Sequence, residues 1–275
     1  MLRTMIILIK KFVRPFLRGF LSRTRGLMRY QSFYQTLFDI AIRGMNFGSG
    51  DYRTSGELEL LKVLRSRLSS QNDNVIFDVG SNVGSYALEI HNSFEGFEHK
   101  IHCFEPAGRT FLALEKNLGQ GSEYVLNNFG FSDKATISKL YSYAGNSVLA
   151  SLYERDLKAH NYEVESTEDI SLDTIDAYSF RHEISFIFFL KIDVEGNEYQ
   201  VLNGASRMLS EKRIKVIQFE FGEANVDSRI YMRDFFELLS NYEVFRVVLN
   251  GLVPLKSYNE SLEIFKTANY VAFLK

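Results

Sequence analysis

The sequence predicts an α/β domain built on a mostly parallel sheet with helices on both faces. Three observations carry that expectation. From Val75 onward, strand-length apolar runs alternate with segments whose apolar residues recur at helical spacing. The runs are nearly continuous in apolar character, as strands buried on both faces must be. The first run leads directly into a loop with two glycines, Gly80-Ser81-Asn82-Val83-Gly84, and then into a new helical stretch. Strand, tight turn and helix start therefore follow one another without a break.

The elements follow in order. The first strand is Val75–Val79, and its helix runs from about Val83 to Ser93. The second strand is Ile101–Phe104; a helix over 109–118 follows, with Phe111, Leu112, Leu114 and Leu118 as its apolar face. Tyr124–Leu126 is the third strand. Residues 131–178 break the alternation. Ala135–Tyr143 alternates like an exposed strand, 145–147 is a turn and Tyr162–Leu172 is another extended run, so this stretch reads as an antiparallel insertion or as a plain connecting hairpin. Alternation resumes with Phe186–Val194 and a helix carrying Val201, Leu202, Ala205 and Leu209. Ile214–Phe221 is a fifth strand, followed by a helix near 230–239. The chain ends on Tyr242–Leu249, a turn at Asn250-Gly251, and Tyr270–Leu274. No long helix joins those last two strands, so the final one is expected to be antiparallel.

Upstream of this domain, placed at 51–275, residues 1–50 read as a basic helical arm. Residues 1–38 hold eight basic residues and no acid, which leaves the remainder of a chain of net charge −2 at −10. Met5–Ile9 is too short an apolar run to cross a bilayer, which takes about 20 residues. No signal-peptide core or cleavage site is visible. Ile9, Phe12, Val13, Phe16, Leu17, Phe20 and Leu21 share one helical face, and Lys10, Lys11, Arg14 and Arg18 lie largely on the other. That pattern suits a helix on an anionic membrane surface, kinked at Pro15, and equally a helix packed on the body. Nucleic acid is not an expected partner, because the body is acidic. The one cysteine, Cys103, allows no intramolecular disulfide, and the expected location is the cytoplasm, with at most peripheral membrane contact through residues 1–30.

Four acids stand at or near the ends of the apolar runs: Asp78, Glu105, Asp193 and Glu220. In an open parallel sheet these ends meet along one edge, where ligands bind. An unpaired carboxylate there costs stability, which points to a use for it. Glu105 stands 21 residues after Gly84 and ends the second strand, a place from which it can accept both ribose hydroxyls of an adenosine. Beside Pro106 it is also placed to cap the next helix. The loop lacks a third glycine, no G-K-[ST] follows, and Asp78 would repel a pyrophosphate, all of which disfavours NAD and a P-loop nucleotide. S-adenosyl-L-methionine fits better: it has a sulfonium, an α-ammonium and an adenosine ribose, and no phosphate. Asp78, Gly80, Asn82, Gly84 and Asp193 are its candidate contacts around the methionine half, with Glu105 at the ribose and Asn128 toward the adenine.

The stretches Asp78-Val-Gly-Ser-Asn-Val-Gly84, Cys103-Phe-Glu-Pro106 and Leu190-Lys-Ile-Asp-Val-Glu-Gly-Asn-Glu198 together resemble the FkbM family of S-adenosylmethionine-dependent methyltransferases. Val201-Leu-Asn-Gly-Ala205, Ser171-Leu-Asp-Thr-Ile175 and Gln218-Phe-Glu-Phe-Gly222 extend the likeness, which starts at about Ser55 and does not cover residues 1–45. Asn197 stands where that family commonly has a small residue. The resemblance implies a class I, Rossmann-like methyltransferase fold: a seven-stranded sheet with its last strand antiparallel. It also implies methyl transfer to a hydroxyl of a sugar, glycan or related natural product. Such an acceptor must lose a proton, so a nearby base helps. Asp193 and Glu195 are the candidate bases, and Lys191, on the same sheet face as Asp193, is placed to pair with it or with Glu220. Asp193, Glu195 and Glu220 are residue types that hold divalent cations, but nothing in the sequence requires a metal, and the five histidines show no zinc spacing. Two other classes are open. A nucleotide-sugar or NAD oxidoreductase would need a phosphate-binding glycine triplet. A membrane-associated, non-catalytic protein of this fold would have no use for Asp78, Gly80, Gly84 and Glu105 together.

Overall fold

A computed structural model of the chain describes residues 14–68, 74–119, 121–143, 146–155, 157 and 162–275, with backbone alone at 14–17 and 146–148. The run Met5–Ile9 and the start of the basic arm lie outside the described residues. The chain divides into two compact units, Met1–Phe47 and Gly48–Lys275.

In the first unit, α1 (Arg14–Thr24) and α2 (Gln31–Gly44) are joined through a 3-10 turn at Met28–Tyr30. Phe20 meets Tyr30 and Phe33 edge-on, with ring centroids 6.1 and 5.8 Å apart. Thr24 Oγ1 and Tyr34 OH share a hydrogen bond of 2.5 Å. Among the described residues no helix is long and apolar enough to cross a membrane.

The second unit opens with α3 (Tyr52–Ser55) and α4 (Glu57–Arg65). The expected alternation follows as β1 (Asn74–Val79), α5 (Ser85–Ser93), β2 (His99–Phe104), α6 (Gly108–Leu118) and β3 (Tyr124–Asn127). The insertion forms a sheet of its own from β4 (Gly130–Phe131), β5 (Thr136–Tyr143), β6 (Asn146–Ser151) and β7 (Val164–Asp173), in the order β4-β7-β5-β6. Its β5–β6 and β5–β7 pairings are antiparallel, whereas β4 joins β7 in parallel. The insertion's extended part stops earlier than 178. Thr174 caps α7 (Ile175–Arg181), its hydroxyl accepting from the Ala177 amide at 3.1 Å.

The remainder is β8 (Ile187–Ile192), α8 (Glu198–Asn203), α9 (Ser206–Ser210), β9 (Ile214–Phe221), α10 (Ala224–Ser228), α11 (Met232–Leu238), β10 (Tyr242–Val248), β11 (Gly251–Leu255) and β12 (Ala268–Leu274). The main sheet runs β11-β10-β12-β9-β8-β1-β2-β3. Strand β12 is antiparallel to both its neighbours, as the chain ending implied. The expected count of seven is corrected to eight. The extra strand, β11, pairs antiparallel with β10 at the sheet margin. Its sequence, Gly-Leu-Val-Pro-Leu, contains a proline, which is tolerated only at such an edge and conceals the strand from pattern reading.

Both faces of the sheet are covered. On one, Leu60, Leu61 and Leu64 of α4, Ala87 and Ile90 of α5, and Leu114 of α6 pack on Ile76, Ile101, Val216 and Val271. On the other, Phe77 and Phe104 meet Tyr178 of α7, and Phe219 stacks on Phe235 of α11 at 4.5 Å. Fully burying one such side chain contributes about 1.5–3 kcal/mol. The carboxyl ends of β1, β2, β8 and β9 are thereby held fixed along one rim.

Candidate active site

Strand register builds the floor of the site. β1 and β8 pair so that Asp78 lies beside Lys191, and β8 and β9 pair so that Lys191 lies beside Gln218. Two residues further on stand Asp193 and Glu220, on the same face by strand alternation. Lys191 Nζ lies 3.4 Å from Asp78 Oδ1 and 3.2 Å from Asp193 Oδ2, and 5.1 Å from the centre of the Tyr86 ring. Burial alone would lower the pKa of the Lys191 ammonium; Asp78, Asp193 and Glu57 outweigh it and hold the group charged. Asp78 is fully buried, and its carboxylate accepts no hydrogen bond from the described residues. Lys191 is its compensation.

A second buried carboxylate, Glu57 at the start of α4, closes this floor. It accepts from Ser55 Oγ and Gln218 Nε2, both at 2.6 Å, and from Asn269 Nδ2 at 3.2 Å. Tyr86 OH donates to Gln218 Oε1 at 3.1 Å. Burial raises the Glu57 pKa, and Lys191 partly offsets it.

The glycine loop fits against the end of β8. Gly80 has φ of +82°, and a Cβ there would stand 1.9 Å from the Asp193 carbonyl oxygen. The Asp193 amide donates to Val79 O at 3.0 Å, so the two strand ends touch. Gly84 also has positive φ, but what approaches it is the side chains of Leu114 and Leu118 on α6. Its role is helix packing. Glu105 accepts the Asn82 amide on Oε2 and the Ala107 amide on Oε1, each at 2.9 Å. It thus both pins the glycine loop and caps the turn into α6, while each oxygen keeps a second acceptor site. Burial pushes its pKa up to about 7, against those two amide bonds.

Beyond the floor, Asp193, Glu195 and Glu220 place carboxylate oxygens within 4.8 Å of one another. Glu195 sits in the left-handed region, with φ of +52°. The insertion holds it there: Ser151 Oγ donates to its carbonyl at 2.7 Å, and Arg155 Nη1 lies 2.5 Å from its Oε2. Arg155 is itself buried and anchored, its backbone N–H donating to Tyr143 OH at 2.7 Å and its Nε lying 3.6 Å from Asp227 Oδ2. Burial pushes the Glu195 carboxyl up to about 8, with Asp193 adding to the rise and Arg155 opposing it. No metal was expected from the sequence. The three carboxylates are near enough to share one cation, yet the chain's own Lys191 and Arg155 already stand against two of them. Asn197, the departure from the family pattern, donates to Phe131 O at 3.1 Å and so ties α8 to the insertion.

These groups face a cavity of about 740 Å³ lined by Gly80, Asn82, Glu105, Lys191, Asp193, Glu195 and Glu220. Leu140, Leu152, Ile170 and Leu172 of the insertion give it an apolar wall. Three of the expected contact residues are not on that wall. Asp78 lies under Lys191, Gly84 faces α6, and Asn128 donates to the carbonyls of Glu105 and Pro106 at 3.0 and 3.2 Å. Each is spent on holding the rim together. Sequence reasoning missed Glu57, Arg155 and Ser151. Gln218, a fully buried polar residue between Ile217 and Phe219 of β9, carried a visible signal; Arg155 carried none.

A family model for the methyltransferase FkbM domain matches residues 78–244. Hexuronic acid methyltransferase AglP of Haloferax volcanii is 27% identical over 168 residues, which is 61% of this chain and 64% of that protein. The chain thus spans less than two thirds of the length of this relative. The crystal structure of methyltransferase FkbM from Methylobacillus flagellatus is similar with 13% identity and a TM-score of 0.44, over 74% of this chain and 44% of that one. The N-terminal domain of human METTL16 in complex with SAH gives 9% identity and a TM-score of 0.41, over 80% and 69% of the two chains. Matched by the family model over more than half of its length, a span that contains the glycine loop and all three clustered carboxylates, the chain belongs to the FkbM methyltransferase family.

Proposed function

We propose that the protein transfers a methyl group from S-adenosyl-L-methionine to a hydroxyl of a sugar or glycan. The observation that carries this reading is the charge of the cavity in a chain of this family. Its wall has seven acidic residues against three basic ones, Arg53, Arg155 and Lys191. Such a cavity favours a ligand that brings a sulfonium and an ammonium. The sugar acceptor is inferred from the hexuronic acid named for the Haloferax volcanii relative. S-adenosyl-L-methionine supplies a methyl carbon on a cationic sulfur. The chain's part is to align acceptor oxygen, carbon and sulfur, to exclude water, and to receive the acceptor's proton. In this reading Glu105 takes the ribose hydroxyls on its remaining lone pairs, and Asn82 and Gly80 line the loop beside them; the free acceptor sites of Glu105 in the cavity wall support it.

Calorimetry tests this. The wild type binds S-adenosyl-L-methionine, and Glu105→Ala weakens it by about 10- to 100-fold, the worth of hydrogen bonds to a charged group. The pH dependence has a definite sign. Glu105 titrates near 7 in the free protein, and hydroxyl donors favour its ionised form. Affinity is therefore complete above about 7 and falls as the pH drops below it. No binding by the wild type, or affinity indifferent to Glu105, would sink the assignment.

For the first unit we infer peripheral contact with anionic lipid. Residues 1–47 hold nine basic residues and one acid, and Met28, Phe38 and Ile40 are exposed. Apolar side chains beside cationic ones suit the interface of an anionic bilayer. Flotation with phosphatidylserine-containing vesicles is expected for the full chain and lost for residues 48–275. Equal flotation of both, or binding undiminished on neutral vesicles, would remove this reading.

A further inference from the structure

We propose that Glu220, rather than Asp193 or Glu195, receives the proton of the acceptor hydroxyl. The inference rests on the methyl-transfer reading above. Three carboxylates converge here, and two of them are compensated within the chain. Asp193 is paired with Lys191, and Glu195 with Arg155. The Glu220 carboxylate has no hydrogen bond or ion pair among the described residues, though it lines the same cavity. A carboxylate held by a cation is a poor proton acceptor; one left uncompensated beside other acids is a good one. Glu220 also sits within β9, paired with Asn269 of β12, so its backbone is fixed by the sheet.

The charged groups around Glu220 come from three places: Asp193 and Glu195 from the turn after β8, Glu198 from the start of α8, and Glu57 from α4. Burial, then these acids, raise its pKa well above the usual carboxylate range. A sulfonium bound in the same cavity opposes that rise, because a nearby cation favours the charged form. Glu220 then loses its proton in the complex that needs a base. In the transfer step the acceptor oxygen bonds to the methyl carbon, and the carbon–sulfur pair goes to sulfur. The hydroxyl proton goes to Glu220. The products are a methyl ether, a neutral thioether and a protonated Glu220, which returns its proton to water.

The thioether product, S-adenosylhomocysteine, shares every group with the donor except the charged methyl. Calorimetry of both ligands at neutral pH, in buffers of different ionisation enthalpy, therefore isolates the effect of the sulfonium charge. The wild type is expected to release a fraction of a proton more with S-adenosyl-L-methionine than with S-adenosylhomocysteine. In Glu220→Gln that difference falls by more than half, the remainder being the share of the neighbouring Glu195 that Arg155 already holds; Glu220→Asp restores part of it, and affinity for S-adenosylhomocysteine changes by less than about threefold. Label transfer from methyl-labelled donor into an extract of host cells lacking the gene should fall by about 100-fold or more in Glu220→Gln. A proton difference undiminished by the substitution, or transfer within threefold of wild type, would overturn the assignment of Glu220. No donor binding by the wild type would instead overturn the methyl-transfer reading, and this inference with it.

Discussion

Lys191→Ala is expected to destabilise the second unit by about 3–5 kcal/mol, the loss that follows when one partner of a buried ion pair is removed. The cause is Asp78. That carboxylate is fully buried, has no hydrogen bond among the described residues, and has the Lys191 ammonium 3.4 Å away. Without it, a charge sits between β2 and β8 with nothing to answer it. Urea unfolding measures the loss. The double variant Asp78→Asn, Lys191→Met separates charge from packing: an apolar or neutral replacement of the whole pair is often close to neutral in stability, so it should recover most of what Lys191→Ala loses. A loss below about 1 kcal/mol in the single variant, or none recovered in the double, would show that Lys191 is not what allows Asp78 to be buried. Lys191, a candidate catalytic residue on sequence grounds together with Asp193 and Glu195, is by position the cation against which Asp193 and Asp78 are both held.

The sheet was legible because its causes are local. A strand buried on both faces must be apolar along its length, and β1, β2, β8 and β9 each show that within a few residues. The ending on β12 was legible for the same reason, since no helix separates it from β10. The site was legible only in part. An acid at a strand end can be read as functional, but whether it faces the cavity or lies beneath it depends on a neighbour chosen by register. Asp78 and Asp193 look alike in sequence. Only the pairing of β1 with β8 puts Lys191 over the first and beside the second. Arg155 lies 40 residues from Glu195 in a stretch of mixed composition, and its place is fixed by Tyr143 of the small sheet and by Asp227 rather than by any pattern of its own. Glu57 read as an ordinary first-turn acid of a helix; its burial against Gln218 and Asn269 joins residues from three distant elements. Gly84 shows the opposite failure. Its positive φ was foreseeable, but the reason a side chain is excluded there is α6, not a ligand.

The two glycines of the loop consequently separate stability from function. Both have positive φ, so alanine at either costs about 1–2 kcal/mol from the backbone alone. At Gly84 the new methyl would meet the ends of Leu114 and Leu118, 2.8 and 2.6 Å away, which are flexible side chains able to move. At Gly80 it would stand 1.9 Å from a backbone oxygen, that of Asp193, and 2.9 Å from its carbon. Only a separation of the two strand ends relieves that overlap. Overpacking of this kind adds about 1–3 kcal/mol, so Gly80→Ala should cost roughly 2–5 kcal/mol in all. The displaced segment is the one that carries Asp193 and Glu195 and that Arg155 and Ser151 clasp from the other side. Gly80→Ala is therefore expected to weaken binding of S-adenosyl-L-methionine by at least about 100-fold, since misplacing a site by 1 Å costs about that much. Gly84→Ala, by contrast, should lower the urea midpoint while leaving affinity within a few-fold of wild type. Measuring both quantities on both variants decides the matter. Equal affinity in Gly80→Ala and wild type would mean that the contact between the ends of β1 and β8 does not set the geometry of the cavity.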